Sequence, residues 1–587
     1  MRIKSFMLTA CMAAVLASCA KDENLENGGS PSFQSGDGYI SVAFSFPSDV
    51  RTRANGEFAD GVGAESDIQK MAAYFFDQTG KMLGKTDDVK LGLETPGEKP
   101  GSIEKKIEVE VPATLVSYLT VDNENGSKTA SMIAVLNNGA DLPDDKEKDT
   151  YGTFNAAILA DISTVTASTG FMMTNSNYIK EGKETAQVII KKENIGVKGS
   201  TSVTSAPTTV TVPVERVAAK VTLAQKEGAA LNIVGWGLNV TNKSYFPVKK
   251  FTNEFLNDAD KTVISKYTTA WQMNTAWNSA DNFRSYWAVD PNYSTKDATA
   301  FNLLDLSKEN AAVAPTIPLY CLENTFNEEL QRTIYTTTAV IVAQFTPTDA
   351  TSTTDDKTWV RWENHNFLAA NFVSTVFDKA KDNIQKYWYK LEDGTHKQLA
   401  SANFKIGVAD ETKKIEIGGK VVGYHSAATV VLDKLADNAD ADNLYTLKDG
   451  EDGKEAEDWV AVAWAEAIKD IDAAIAAVYG ENNAPLVYVN GYGYYEVPIR
   501  HFNDIEVPWD KQTVNQPKHL GRYGIVRNNS YQLTINSIMN PGNPVTGGEI
   551  TPEDRPDDDL KYYLDVDIDV LRWAVRNQDV DKSEGQA

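Results

Sequence analysis

The sequence predicts a mainly β protein, two sandwich-like domains carrying helical insertions, and three observations predict it. Short apolar stretches alternate with polar residues at period two along most of the chain. Gly, Pro, Asn and Asp clusters separate these stretches at short intervals. Two long segments, 366–388 and 455–479, instead space their apolar residues at the helical period. A length of 587 residues suits two or three domains.

Composition narrows the function classes. The formal net charge is −25, which repels nucleic acid and anionic membrane surfaces and so excludes both as partners. The three cysteines are Cys11, Cys19 and Cys321. Cys11 lies in the leader, so a mature chain keeps at most two, too few for a disulfide framework or a cysteine metal centre. The leader has a basic start at Arg2 and Lys4, a short apolar run over 6–16, and then Leu16-Ala17-Ser18-Cys19. The run is too short to span a membrane. Small residues before a cysteine at this distance resemble the bacterial lipobox, which implies a signal peptide of 1–18 and a palmitoylated Cys19 at the outer membrane or cell surface. The acidic Asp22 and Glu23 that follow resemble the surface-export signal of Bacteroidetes lipoproteins.

After a linker over 24–38 the first strand is expected at 39–46, with Ile40, Val42, Phe44 and Phe46 on one face. Pro47 stops it. A polar, Gly-rich loop over 48–63 carries Arg51 and Arg53, where a trypsin-like protease can cut. On the motif alone, two solvated arginines in a turn is the simpler reading. The first domain, 54–212, is expected to hold strands at 68–77, 103–111, 131–136, 187–191 and 203–212, with a short helix at 151–160. The second domain, 213–539, holds strands at 214–223, 231–250, 317–325, 336–345, 487–499 and 522–538. Its helices at 366–388 and 455–479 turn Phe372, Val373, Val376, Phe377, Ala380 and Ile384, and Trp464, Ala467, Ile468, Ile471, Ala474, Ile475 and Val478, toward a core.

Residues 540–560 hold four prolines, three glycines and a cluster of acids, which predicts an extended tether. The terminal segment, 561–587, contains the most regular pattern in the chain. Leu564, Val566, Ile568 and Val570 alternate with Asp565, Asp567 and Asp569, the signature of a half-buried strand. The apolar set then slips by one to Leu571, Trp573 and Val575, which predicts a bulge or a twist. Such a strand either folds back onto its own sheet or is donated to another molecule. The pattern alone leaves both open and favours the first.

Nothing in the chain spells out a reaction. The histidines His365, His396, His425, His501 and His519 lack metal-ligand spacing, and no nucleophile elbow or phosphate loop is present. No catalytic residue, metal site or cofactor is therefore assigned, and Cys321 reads as a buried small hydrophobe.

Several segments together are similar to the fimbrillin family of Bacteroidales type V pili. They are the lipobox at Cys19, Val214-Glu215-Arg216-Val217-Ala218-Ala219-Lys220-Val221, Tyr320-Cys321-Leu322-Glu323-Asn324-Thr325, and the stretch from Gly524 to Ile538. The last is followed, as in a stalk subunit of minor fimbriae, by a Pro/Gly/acid tether and a terminal strand. The resemblance is weakest over 80–210 and does not reach the helical insertions or 581–587. It implies transthyretin-like sandwiches completed by intermolecular strand exchange. An Arg-specific protease would cut after Arg53, or alternatively Arg51, and remove the lipidated propeptide 19–53 with Ile40, Val42, Phe44 and Phe46. A neighbour's Leu564, Val566, Ile568, Val570, Leu571, Trp573 and Val575 would refill the groove, giving a head-to-tail polymer. The implied partners are the chain itself, pilus anchor and tip subunits, and host or bacterial surface receptors. The implied role is a non-enzymatic fimbrial stalk subunit in adhesion and biofilm formation. A tip adhesin and a surface glycan-binding lipoprotein are the alternatives.

Overall fold

The continuous apolar runs of the first domain exist because its main sheet is covered on both faces. The structure, a computed structural model, describes residues 38–45, 58–86, 88–93, 107–120, 128–180, 183–197, 207–250, 282–283, 287–408, 410–433, 435–502, 519–557 and 564–574. Strands dominate it, as the sequence predicts. A ten-stranded sheet runs Ile195–Val197, Gly38–Ser45, Val210–Arg216, Met173–Asn175, Ala130–Leu136, Ile68–Phe76 and Met82–Lys85, with three more strands off this path. Met71, Ala73, Phe75, Met132 and Ala134 point into one core. Their neighbours Ala72, Tyr74, Phe76, Ile133 and Val135 point into another on the opposite face. Both alternating sets are buried, so both must be apolar.

The second domain is a sandwich of two sheets. A five-stranded sheet runs Phe58–Asp60, Leu564–Ala574, Asn529–Ile538, Ala219–Gln225 and Leu319–Cys321. A six-stranded sheet runs Ile233–Asn239, Thr338–Gln344, Tyr492–Pro498, Asn543–Thr546, Lys420–Tyr424 and Lys414–Ile417. Val221, Leu223, Trp236, Ile341, Tyr495, Tyr531, Leu533 and Ile535 interdigitate between them. The division expected between 212 and 213 falls inside the strand Val210–Arg216, which belongs to the first sheet. The chain crosses at Val217 and Ala218, because Val214 still faces the first core while Ala219 faces the second.

A lobe departs after Gln344 and returns at Tyr492, two residues that are register partners in adjacent antiparallel strands, and midway the chain joins the sandwich again through Lys414–Ile417 and Lys420–Tyr424. Its helices are Ala369–Ile384 and Trp464–Tyr479, and Phe372, Val376, Ile384, Ala467, Ile471 and Ile475 pack with Phe404, Val430 and Leu444 in a core of their own. Both helices are shorter than expected. His365–Leu368, Tyr387–Lys390 and Trp459–Ala463 are strands at their ends, rich in the aromatic and β-branched residues that fit a pleated surface. Gly480, at φ +70°, ends the second helix. The helix expected at 151–160 covers only Tyr151–Ala156. The strand expected at 487–499 is broken at Asn490, which has φ +50°.

The tether is the largest departure. Within the stretch expected to be extended and unpacked, Asn543–Thr546 joins the six-stranded sheet beside Gly493 and Tyr494. Val545 and Ile550 are buried in the core below it. Arg332 pairs with Asp554, and the Asp557 N–H donates to the Gln331 carbonyl. Two aliphatic side chains in a polar stretch are enough to dock it, so the chain is bound to the body as far as Asp557.

Candidate functional site

The leading strand, Gly38–Ser45, fills an interior position of the first sheet. Residues 39–42 pair antiparallel with Ile107–Glu110 on one edge. On the other edge residues 38–40 pair antiparallel with Ile195–Val197, and residues 42–45 run parallel to 210–213. Ile40 and Val42 are 0% exposed and Phe44 is 1%, all three in the first core. Taking this strand away leaves two unpaired edges facing each other across an apolar slot. Phe46, Arg51, Arg53 and Cys19 lie outside the described residues.

The terminal strand, Leu564–Ala574, lies in the five-stranded sheet of the second domain and folds back within its own chain. It pairs antiparallel with Asn529–Ile538 from Ile538↔Leu564 to Asn529↔Arg572. Its other edge is paired, among the described residues, only at 572–574, where Phe58–Asp60 runs parallel to it. Leu564, Val566, Ile568 and Val570 pack on the sandwich core but are only partly buried, while Asp565, Asp567 and Asp569 are exposed. The bulge expected after Val570 is absent: Tyr531↔Val570 and Ser530↔Leu571 continue in register. The register shift lies instead between Ile535 and Ser537. What changes after Val570 is the face. Leu571 lies in a row with Ser530, Lys220 and Tyr320 on the side away from the sandwich core. That is the side met by the first domain, so the apolar residue follows the covering element. The side chains of Trp573 and Val575 lie outside the described residues.

The three fimbrillin-like segments within the described residues, around 214–221, 320–325 and 524–538, are far apart in sequence and meet at the joint between the two domains. The short turn Gly63–Glu65 of the first domain brings Glu65 against the second. Lys220 Nζ lies 2.8 Å from one Glu65 carboxylate oxygen and donates to the other at 3.0 Å, and the Tyr320 hydroxyl donates to the same group. Burial pushes the Glu65 carboxyl up, but the bonds from Lys220, Tyr320 and the Val62 N–H outweigh it and hold it below the usual range. Arg216 Nε donates to the Glu65 carbonyl at 2.6 Å, and burial pushes that guanidinium down against the pull of the Glu65 charge. Beside them Arg527 and Glu323, both wholly buried, pair at 3.2 Å. Arg527 also donates to the carbonyls of Phe246 at 2.9 Å and Pro247 at 3.3 Å. Asn528, at φ +57°, accepts from the Arg216 N–H and donates its own N–H to the Ala218 carbonyl. Gly524, at φ +133°, admits Trp287: a Cβ there would meet the indole at 2.6 Å. Cys321 is buried, and burial pushes its thiol up to about 12, the state of an inert core residue. Sequence reasoning singled out these segments but missed Glu65, whose neighbours Ala64 and Ser66 give no signal of a buried charge.

Residues 486–579 match the family model for the major fimbrial subunit protein type IV, fimbrillin, C-terminal. That span takes in the last sandwich strands, the docked tether and the terminal strand. In this C-terminal part the chain is similar to the fimbrillins. No curated protein matches the chain in sequence. Among solved structures it is similar to a fimbrilin from Porphyromonas gingivalis W83, with 12% identity and a TM-score of 0.32 over 92% of this chain and 99% of that one. It is also similar to the tip fimbrial protein Mfa3 of Porphyromonas gingivalis, with 11% identity and a TM-score of 0.28 over 91% and 100% of the chains. A fimbrial assembly protein from Parabacteroides distasonis has 14% identity and a TM-score of 0.26 over 53% and 82%. The likeness to fimbrillins is carried by the C-terminal match.

Proposed function

We propose that this protein is a structural, non-enzymatic subunit of a cell-surface fimbrium, of the stalk type. In this reading it is exported as a lipoprotein anchored through Cys19, cut after Arg53 or Arg51, and polymerised by donating its terminal strand into a neighbour's slot. The observation that carries the reading is an asymmetry between the two strands. The leading strand occupies an interior slot with partners on both edges and buries Ile40, Val42 and Phe44 completely. The terminal strand has the same period, yet sits at home on one long partner with its apolar side chains only partly covered. Fully burying an aliphatic side chain stabilises by ~1.5–3 kcal/mol, so completing the burial of four half-covered ones contributes about 4 kcal/mol. The slot also offers a second ladder of backbone hydrogen bonds. A vacated slot therefore holds the terminal strand better than its own domain does.

The asymmetry also favours a stalk over a tip, since a tip has no downstream neighbour to fill. Because the chain is docked through Asp557, the six residues before Leu564 can reach at most about 20 Å at ~3.3 Å per residue. Longer reach requires residues 543–557 to peel from the body. Anchor and tip subunits, an Arg-specific protease and surface receptors complete the proposed set of partners.

The test is a pair of chains beginning at Ala54, one complete and one lacking 561–587. Ladders that survive unheated detergent electrophoresis should form only with the complete chain. Monomers in both would end the strand-donation reading and favour a surface glycan-binding lipoprotein.

A further inference from the structure

Phe58–Asp60 is the first described segment after the stretch that carries Arg51 and Arg53, and its only strand partner among the described residues is the terminal strand. Phe58, Ala59 and Asp60 pair in parallel with Arg572, Trp573 and Ala574. Elsewhere the outer edge of that strand, from 564 to 571, has no strand against it among the described residues. A few residues on, Glu65 is pinned to Lys220 and Tyr320, which lie across the same five-stranded sheet. The segment 58–65 is thus a strap over that sheet, fixed at Glu65 and gripping the terminal strand at 58–60. In the uncut chain its near end continues covalently toward Ser45 of the leading strand, which is itself held on both edges. A three-residue strand tethered covalently on both sides keeps its hold on its partner. The same three residues beside a free chain end fray.

We propose that Phe58–Asp60 is a latch on the terminal strand, released by the same upstream cut that frees the leading strand. One cleavage then prepares a subunit both to receive and to give a strand, and an uncut subunit keeps its terminal strand at home. The latch rests on the strand-donation reading, and its test keeps the two apart.

The measurement is hydrogen exchange of amides 564–571 in the full chain, dilute enough to stay monomeric. It is made before and after limited trypsin cleavage at Arg51 or Arg53, checked by mass. Ala59→Pro and Asp60→Pro are measured uncut, because proline removes an N–H and one of the two faces the terminal strand. Amides 338–344, in the opposite sheet, report that the second domain stays folded. Cleavage should speed exchange at 564–571 about tenfold, the loss of a few backbone hydrogen bonds, and at least one proline variant should reproduce this without cleavage. Equal exchange before and after cleavage, or two silent proline variants, overturns the latch even where concentrated cut protein forms ladders. Faster exchange without ladders supports the latch and removes strand donation.

Discussion

Phe44→Ala is the sharpest probe of whether the leading strand is a temporary occupant. Phe44 is 1% exposed and packs among Ile40, Val42 and the strands on either side of them. Truncating such a phenylalanine costs about 3–5 kcal/mol, from lost transfer energy and an uncollapsed cavity. That approaches the ~5–15 kcal/mol that holds a domain together. In uncut protein the loss should appear as faster exchange at amides 130–136, central in the same sheet. After cleavage and assembly the substituted strand has left, so F44A fibres should match wild-type fibres in denaturant resistance. A penalty that persists in the fibre would mean the leading strand stays in its slot, and the exchange argument would fail. A penalty below about 0.5 kcal/mol in the uncut chain would mean the slot is not packed as described.

Val566→Lys should cost the monomer little, about 1–2 kcal/mol, since an edge position lets the ammonium reach water, yet it should abolish ladders by placing a charge in a neighbour's core. Normal ladders from V566K would contradict its proposed insertion. Arg527→Ala should lower second-domain stability by about 3–5 kcal/mol in urea titrations, because Glu323 is left as a buried, unpaired charge. A shift under 1 kcal/mol would show the pair to be dispensable. The Glu65 carboxyl titrates below its ordinary value of 4.5 in the folded chain, so its contribution is present above that value and is lost as pH falls through the lower one. Glu65→Gln should therefore be less stable than wild type near neutrality and converge with it in acid, and a pH-independent difference would refute this. Asp290 runs the other way. Burial raises it from 3.8 to about 7, so the native state holds the extra proton and stability falls as pH rises across that window. Asp290→Asn should flatten that slope in melting curves between pH 4 and 7, and an unchanged slope would count against it.

Period-two patterning found both the leading and the terminal strand, because each buries one face. It did not tell which positions in a sheet they take. Ile40, Val42 and Phe44 look no more interior than Val566 and Ile568, although one set is enclosed and the other half-covered. Edge or centre is decided by partners that lie tens to hundreds of residues away. The tether misled because composition averages over Val545 and Ile550, which dock the whole stretch. The helix ends were overrun because Trp388 and Val460 fit a helical register as well as a strand, and only cross-strand partners settle the matter. Arg216, Lys220, Glu323 and Arg527 were visible as members of family-like segments. That they converge with Glu65 on one joint was not, since charge pairing between distant segments leaves no period.

The crossing from Val210–Arg216 to Ala219–Gln225 has a mechanical consequence. In a fibre joined by strand donation, and once residues 543–557 have peeled from the body, tension would enter a subunit beside residues 210–213 and leave after Ile538, toward the next subunit. Between these points the pull passes from 219–225 to its parallel partner, Lys220↔Ser530 through Gln225↔Ile535. One strand is drawn from its beginning and the other from its end, so the ladder is loaded in shear and its rungs must yield together rather than one by one. The buried Arg527–Glu323 pair sits at the head of that ladder, where the load first arrives. Such a subunit resists stretching along the fibre axis far better than peeling across it, a useful bias for a thread pulled by flow.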